Sequence, residues 1–252
     1  MKIQDNHKMN IKNIGTVYGG WSKIPIDNLD SHSIIYSFGA GEDICYEFLL
    51  SGITDAEIHI FDPTPRSIEH FDFCVKSIKE GIEGEYNRRF GGGDRNYNSY
   101  IINSGANLQK LFFHDYGVYD NDSSFDFFYP KNRNHVSLSI DNLQETEESI
   151  SLEVKKIDTI MKELGHWRVD VIKLNIEGAE TKTLLHMLKN TDIRPTYISV
   201  KFELARDKGG ENNHLIKELQ DLLNEKYDTI FSDAPSFNYT FKIKKAVTNN
   251  DL

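Results

Sequence analysis

The chain has 252 residues, 38% of them hydrophobic and 27% charged, with 12 Tyr and 15 Phe. That composition builds a packed core and excludes a disordered chain. The 29 basic residues against 39 acidic ones leave a net charge of −10, which argues against nonspecific binding to nucleic acid or to an anionic membrane surface. Two cysteines, Cys45 and Cys74, are too few for a disulfide scaffold or a cysteine zinc site, and no apolar run is long enough to span a bilayer.

Residues 1–32 read as a polar N-terminal arm whose aromatic cluster, Tyr18 to Trp21, is expected to pack its Trp on the core. The first residues have no apolar stretch of the secretory kind, so a cytoplasmic protein with buried free thiols is expected. From residue 33 onward a regular alternation sets in and reads as one domain, 33–252. Ser33 to Phe38 is a short apolar run stopped by Gly39-Ala40-Gly41, the signature of a buried strand. Asp43 to Ser51 follows as a helix, with Asp43 placed to cap it and Gly52 placed to end it. Glu57 to Asp62 is a second strand, broken by Pro63 and Pro65. Ile68, Phe71, Val75 and Ile78 mark an amphipathic helix that ends at Gly81.

Residues 81–107 break the pattern with an Asn-rich and Tyr-rich tract, read as an inserted loop or lid rather than core. Leu111 to Tyr116 is a third strand, and Phe125 to Tyr129 is one strand of a peripheral hairpin. A helix over Ile157 to Leu164 ends at Gly165, and Val169 to Ile176 is the next strand, with a helix after it. Tyr197 to Leu204 is a strand, Leu215 to Leu223 a helix, and Tyr227 to Phe231 with Tyr239 to Ile243 a terminal hairpin. Strands alternating with helices imply right-handed crossovers and a mostly parallel sheet covered on both faces.

In such sheets the ligand lies outside the carboxyl ends of the strands. Gly39-Ala40-Gly41 lets backbone approach a ligand closely, and Asp62, at the end of the next strand, can accept from ribose hydroxyls. The two features suit either a nicotinamide dinucleotide or S-adenosylmethionine. The dinucleotide fingerprint wants a third glycine where Ile44 stands, and a pyrophosphate is poorly matched to Glu42 and Asp43.

The segment Asp170-Val-Ile-Lys-Leu-Asn-Ile-Glu-Gly-Ala-Glu180 resembles the hallmark of the FkbM-type methyltransferase family. Tyr36 to Asp43, Phe61 to Pro65 and Tyr116 to Asp120 extend the likeness over roughly 33–205. The resemblance implies an α/β fold: a Rossmann-like class I methyltransferase sandwich, its mostly parallel sheet ending in a C-terminal antiparallel hairpin. It implies S-adenosylmethionine as cofactor and O-methylation of a sugar or related hydroxyl. By position, Phe38, Gly39, Gly41 and Glu42 would pass the methionine part, and Asp62 and Pro63 the ribose. His114, Asp115 and Tyr116 would border the adenine, and Asn175 and Glu177 would face the methyl group. The family usually has Asp where this chain has Asn175, and Asn is no base.

An alcohol acceptor needs its proton removed, by a general base or with a divalent cation whose ligands the sequence leaves open. The catalytic candidates are Glu177, Asn175 and His135, with His114 a further base candidate. Lys173 reads as a buried strand lysine paired with Glu177 or Glu203. Tyr18, Trp21, Arg88, Arg89, Asp94 and Tyr97 are the acceptor-binding candidates: an aromatic face suits a sugar ring, and paired Arg suit phosphate. The expected partner is therefore a small carbohydrate or sugar nucleotide, not nucleic acid. The oligomeric state stays open, a homodimer included. Two rivals remain: a nicotinamide-dependent oxidoreductase on a nucleotide sugar, and a catalytically degenerate methyltransferase fold that only binds, which Asn175 keeps in play.

Overall fold

The computed structural model describes residues 13–16, 21–22, 24–81, 97–132, 138–140, 142, 145–202 and 213–245. The N-terminal arm contributes a small ladder, β1 (Asn13–Ile14) against β2 (Trp21–Ser22). Trp21 packs on the core, as expected for the arm.

The alternation then runs as the sequence predicts. β3 (Ile34–Phe38) leads into α1 (Cys45–Ile53), β4 (Glu57–Phe61) and α2 (Pro65–Glu80). Pro65 sits in the first turn of α2, where its missing N–H costs nothing, and Gly81 ends the helix at φ +63°. Two details of α1 differ from expectation. The helix begins at Cys45 with Ile44 at the cap position, and Asp43, one residue earlier than expected for a cap, still accepts from the Cys45 amide at 3.3 Å through Oδ1. It also runs through Gly52, whose Cβ position lies 2.4 Å from the Ser104 carbonyl oxygen. Gly52 is there for close packing, not for termination.

Of the tract expected as a lid, residues 82–96 lie outside the described residues, and the later part forms α3 (Tyr97–Ile102), which buries Tyr97 and Ile101. This part of it is core. After β5 (Leu111–His114) come β6 (Gly117–Val118), β7 (Ser123–Phe128) and β8 (Ser149–Lys155). These last three form a separate sheet in the order β6-β8-β7. β7 pairs antiparallel with β8, the next strand in the chain, which the sequence reading did not assign. The chain continues through α4 (Ile157–Leu164), β9 (Val171–Leu174), α5 (Glu180–Asn190), β10 (Tyr197–Lys201), α6 (Asn213–Lys226), β11 (Tyr227–Asp233) and β12 (Asn238–Ile243).

The main sheet has the order β11-β12-β10-β9-β3-β4-β5. The five strands from β10 to β5 are parallel, and β12 and β11 close the edge as an antiparallel hairpin. The chain leaves β3 toward β4 and β5, then returns to the other side of β3 as β9. β3 and β9 therefore flank the switch point, where ligands bind in open α/β sheets.

Period-two alternation sends each strand's side chains to two cores. Tyr36, Phe38, Ile172, Leu174, Ile198 and Val200 meet α4, α5 and α6 through Ile160, Leu184, Leu219 and Leu223. Ile35, Ile58, Ile60 and Val171 meet α1 and α2 through Phe48, Leu50 and Cys74. Both cysteines are buried, and neither is in a disulfide. On that second face one row departs from the apolar rule. Ser37, Lys173, Ser199 and Thr240 stand side by side across four strands. The row lies near the carboxyl end of the parallel strands.

Candidate active site

A cavity of about 300 Å³ opens at the carboxyl ends of β3, β4, β9 and β10. Its floor is the turn Gly39-Ala40-Gly41 with Asn175, its flanks are Asp62 to Thr64 and Ile176-Glu177, and Phe127, Leu138 and Ile140 bring in the three-stranded sheet.

The glycine turn is tied down by one carboxylate. Asp62 Oδ2 accepts from the amides of Ala40 and Gly41, both at 2.9 Å. Its Oδ1 accepts from Thr64 N at 2.9 Å and Thr64 Oγ1 at 2.6 Å. Asp62 is 6% exposed, so these four bonds take up the usual acceptor capacity of the group. Gly39 has φ +84°, and a Cβ there would lie 2.0 Å from the carbonyl oxygen of Asn175. Only glycine lets the ends of β3 and β9 come this close. Glu42 is held by two 2.8 Å bonds from Arg66, one to each carboxylate oxygen. Beside it, burial and then the charge of Asp43 push the Cys45 thiol up to about 12, so it remains an uncharged core group.

The far wall is the loop from β9 to α5. Glu180 is fully buried and accepts from the amides of Ile176 at 2.8 Å and Gly178 at 3.0 Å. Between those anchors Glu177 adopts φ +54°, a left-handed conformation that an L residue holds only when its surroundings enforce it. Ser139 Oγ adds a 2.8 Å bond to the Glu177 carbonyl. Asn175 Oδ1 is buried with no hydrogen-bond partner among the described residues.

Beneath the cavity lies the polar row. Lys173 Nζ donates to Glu47 Oε1 at 2.9 Å, and to Ser37 Oγ and the Gly39 carbonyl, each at 3.2 Å. The Lys173 and Glu47 side chains are 5% and 1% exposed. Among the described residues the lysine partner is thus Glu47 on α1, and not the expected Glu177. Trp21 lies over this row, its ring centroid 5.3 Å from Lys173 Nζ and its Nε1 donating to Ser199 Oγ at 2.5 Å.

Of the residues singled out in the sequence, Trp21, Gly39, Gly41, Glu42, Asp62, Pro63, Asn175 and Glu177 line this cavity together. Phe38, His114, Asp115 and Tyr116 are not in its lining. Phe38 is fully buried and stacks on Phe61 with ring centroids 4.7 Å apart, and His114 bonds His59 at 3.0 Å. Tyr97 is a core residue rather than a rim residue: it is 3% exposed, its hydroxyl bonds His70 at 2.7 Å, and it accepts from Ile44 N at 3.1 Å. Tyr18, Arg88, Arg89, Asp94, His135 and Glu203 lie outside the described residues. Sequence reading did not reach Lys201 and Asn238, which stand opposite each other on β10 and β12 at the rim. Lys201 ends a strand beside the switch point, the same positional signal that singled out Asp62. The apolar wall from 118–140 carried no such signal. No helix among the described residues is long and apolar enough to cross a membrane.

Comparison with known proteins follows the same line. The model of the methyltransferase FkbM domain matches residues 39–229. Among solved structures, the methyltransferase FkbM of Methylobacillus flagellatus KT is similar at 11% identity with a TM-score of 0.45. The match covers 86% of this chain but only 44% of that one, so this chain spans less than half of its length. An rRNA methylase from Streptococcus thermophilus is similar at 9% identity and a TM-score of 0.39, covering 87% of this chain and 92% of that one. Neither likeness bears on substrate. No curated protein matches the sequence. With the family model spanning most of the chain and the parallel sheet carrying a cavity at its switch point, the chain belongs to the FkbM methyltransferase domain family.

Proposed function

We propose that this protein transfers a methyl group from S-adenosylmethionine to a hydroxyl of a carbohydrate or sugar-nucleotide acceptor. The observation that carries the reading is the charge of the cavity. Glu42, Asp43, Asp62 and Glu177 line it against Lys173 and Lys201; with Glu42 paired to Arg66 and Lys173 to Glu47, Asp43, Asp62 and Glu177 stand against Lys201. Such a wall suits a ligand bearing a sulfonium and an ammonium, and it repels the pyrophosphate of a dinucleotide.

The residues present fit that donor. Asn175 Oδ1, a buried acceptor without a partner among the described residues, is matched to an ammonium. The Gly39 and Gly41 turn offers backbone without side chains in the way. A ribose would compete for Asp62, and the bond it would displace is that of the Thr64 hydroxyl, which can rotate away while the three amide bonds stay. Bound in this way, the donor supplies a methyl group already activated by positive sulfur. The chain must then align the acceptor oxygen and take its proton. Glu177 is our base, presented by a backbone that Glu180 and Ser139 hold in place. Trp21 presents a flat face for a sugar ring, with its indole N–H fixed by Ser199. Lys201 and Asn238 offer polar groups at the rim. A cytoplasmic reaction belongs to the same proposal, resting on two buried cysteines that form no disulfide.

The test has two stages. Calorimetric titration of the full chain with S-adenosylhomocysteine, and in parallel with nicotinamide dinucleotide, should show binding of the first only. Label from methyl-tritiated S-adenosylmethionine should then enter a sugar or sugar nucleotide as an O-methyl ether. Binding of the dinucleotide alone, or label appearing only in RNA transcripts, would refute the proposal.

A further inference from the structure

On the sheet face opposite the polar row, three metal-ligating side chains converge away from the cavity. Glu57 and His59 share a face of β4 because they are two residues apart. His166 reaches them from the loop after α4. Gly165, at φ +71°, turns the chain there, and the His166 amide bonds the Met161 carbonyl at 2.8 Å, which fixes where the ring starts. None of the three lines the methyl-transfer cavity. Glu57 is at the amino end of β4 and Asp62 beyond its carboxyl end, about 16 Å apart at strand rise.

We propose that Glu57, His59 and His166 form a binding site for a divalent transition-metal ion, zinc first among them, separate from the site of methyl transfer. One ligand atom from each residue lies within 4.8 Å of the other two. The second, independent observation is His59 Nε2. It is buried in a side chain that is 5% exposed and has no hydrogen-bond partner among the described residues. A buried ring nitrogen left orphaned on a member of a ligand cluster needs an explanation, and a cation supplies one.

The outer ring nitrogens are already arranged as metal-bound imidazoles require. His59 Nδ1 lies 3.0 Å from His114 Nε2, and His166 Nδ1 lies 2.7 Å from the Tyr36 hydroxyl. With the proton on Nδ1, each histidine donates outward, His59 to His114 Nε2 and His166 to the Tyr36 oxygen. Each then keeps an Nε2 lone pair for the ion, a tautomer both partners accommodate because His114 Nε2 and the Tyr36 oxygen can each accept. Stacking of the His59 ring on Phe112, at 4.8 Å between centroids, adds rigidity.

The donor set chooses the metal. Two imidazoles and one carboxylate suit zinc and its neighbours, whereas magnesium and calcium want oxygen ligands throughout. Zinc ligands stand about 3.3–3.6 Å apart, so the cluster must close by roughly an ångström. Glu57 and His166, both only partly buried, can make that move. Lys110 Nζ holds Glu57 Oε1 at a long 3.4 Å and would give up or share that contact. Three protein ligands leave a fourth position for water. The ion would tie β4 to the segment leading into β9, joining the two sides of the switch point from beneath.

The test uses the full chain stripped with a chelator and then titrated with zinc against a chromophoric competitor. We expect one zinc per chain, a raised melting temperature, and visible d–d absorption when cobalt(II) replaces zinc. Magnesium should not bind. His59→Gln, His166→Gln and Glu57→Gln should each weaken zinc by about 100-fold, and Tyr36→Phe by about 10-fold. If His59→Gln does not fold, the two partly buried positions carry the test. Folded parent protein that takes up no zinc at micromolar concentration, or His166→Gln and Glu57→Gln proteins that bind it as tightly as the parent, would overturn the proposal. Neither result depends on turnover, so failure here is distinguishable from failure of the methyltransferase reading.

Discussion

Asp62→Asn isolates the fastening of the glycine turn. In the parent, each carboxylate oxygen accepts two bonds, one pair from Ala40 N and Gly41 N and one from Thr64 N and Oγ1. A carboxamide has one acceptor oxygen, so its NH2 must face one of these donor pairs. Two charge-assisted bonds are lost, each worth about 1.5–3 kcal/mol, and one or two buried amides lose their partner. The Gly41 amide, only partly buried, regains some of this from water. A net loss of about 2–4 kcal/mol follows, or a melting temperature lower by about 4–16 °C for a chain of this size. If roughly 1.4–2 kcal/mol of that disorder must be reversed on binding, S-adenosylhomocysteine affinity falls about 10–30-fold. Urea unfolding and calorimetric titration measure the two effects. A variant melting within about 1 °C of the parent with unchanged affinity would show that Asp62 does not hold the turn.

Further substitutions probe the rest of the site. Gly39→Ala drives a Cβ onto the Asn175 carbonyl and should cost at least about 3 kcal/mol, whereas Gly41→Ala, with nothing within 4 Å of its Cβ, should cost only the left-handed penalty of about 1–2 kcal/mol. Equal costs in urea unfolding would contradict the close approach of β3 and β9. Lys173→Met leaves Glu47 charged and buried and should cost about 3–5 kcal/mol, with less than half of that loss remaining in the Lys173→Met, Glu47→Gln double variant. A double variant no more stable than the single one would argue against the pair. Glu177→Gly relieves the backbone at φ +54° and should melt no lower than the parent while methyl transfer falls at least about 100-fold; undiminished turnover would remove Glu177 as the base.

Much of the fold is legible where local rules act alone. The largely apolar runs at 34–38, 57–61 and 171–174, each followed within three residues by glycine, proline or acid, announce parallel strands and the turns that carry the cavity. What escapes is decided by partners distant in the chain. Tyr97 in an Asn-rich tract looks like a lid residue, and only the fold reveals His70 and the Ile44 amide waiting for its hydroxyl. Gly52 looks like a helix stop because spacing says nothing about the Ser104 carbonyl pressed against it. Lys173 calls for a carboxylate, but Glu47 lies 126 residues away in sequence, and nearer acids compete on paper. Asp62 is found by position, while the four bonds that occupy it belong to the folded turn. Ile150, Leu152 and Val154 alternate as a strand should, yet their polar surroundings hide β8.

The Lys173–Glu47 ion pair is also placed to act as a phase marker when the sheet assembles. β9 reads Val-Ile-Lys-Leu, and three of its four side chains would be at home against either layer of helices. A shift of one residue against β3 would turn the ammonium into the aliphatic layer around Ile160 and Leu184. A shift of two would keep it on the correct face but carry it about 7 Å along the strand, out of reach of Glu47. An apolar residue at 173 is therefore expected to give mixed pairings, visible as doubled amide resonances along β9; a single set would refute the idea. Hydrophobic burial drives this strand inward, and one concealed charge tells it where to stop, which is what brings Gly39 and Asn175, from opposite halves of the chain, to the same spot.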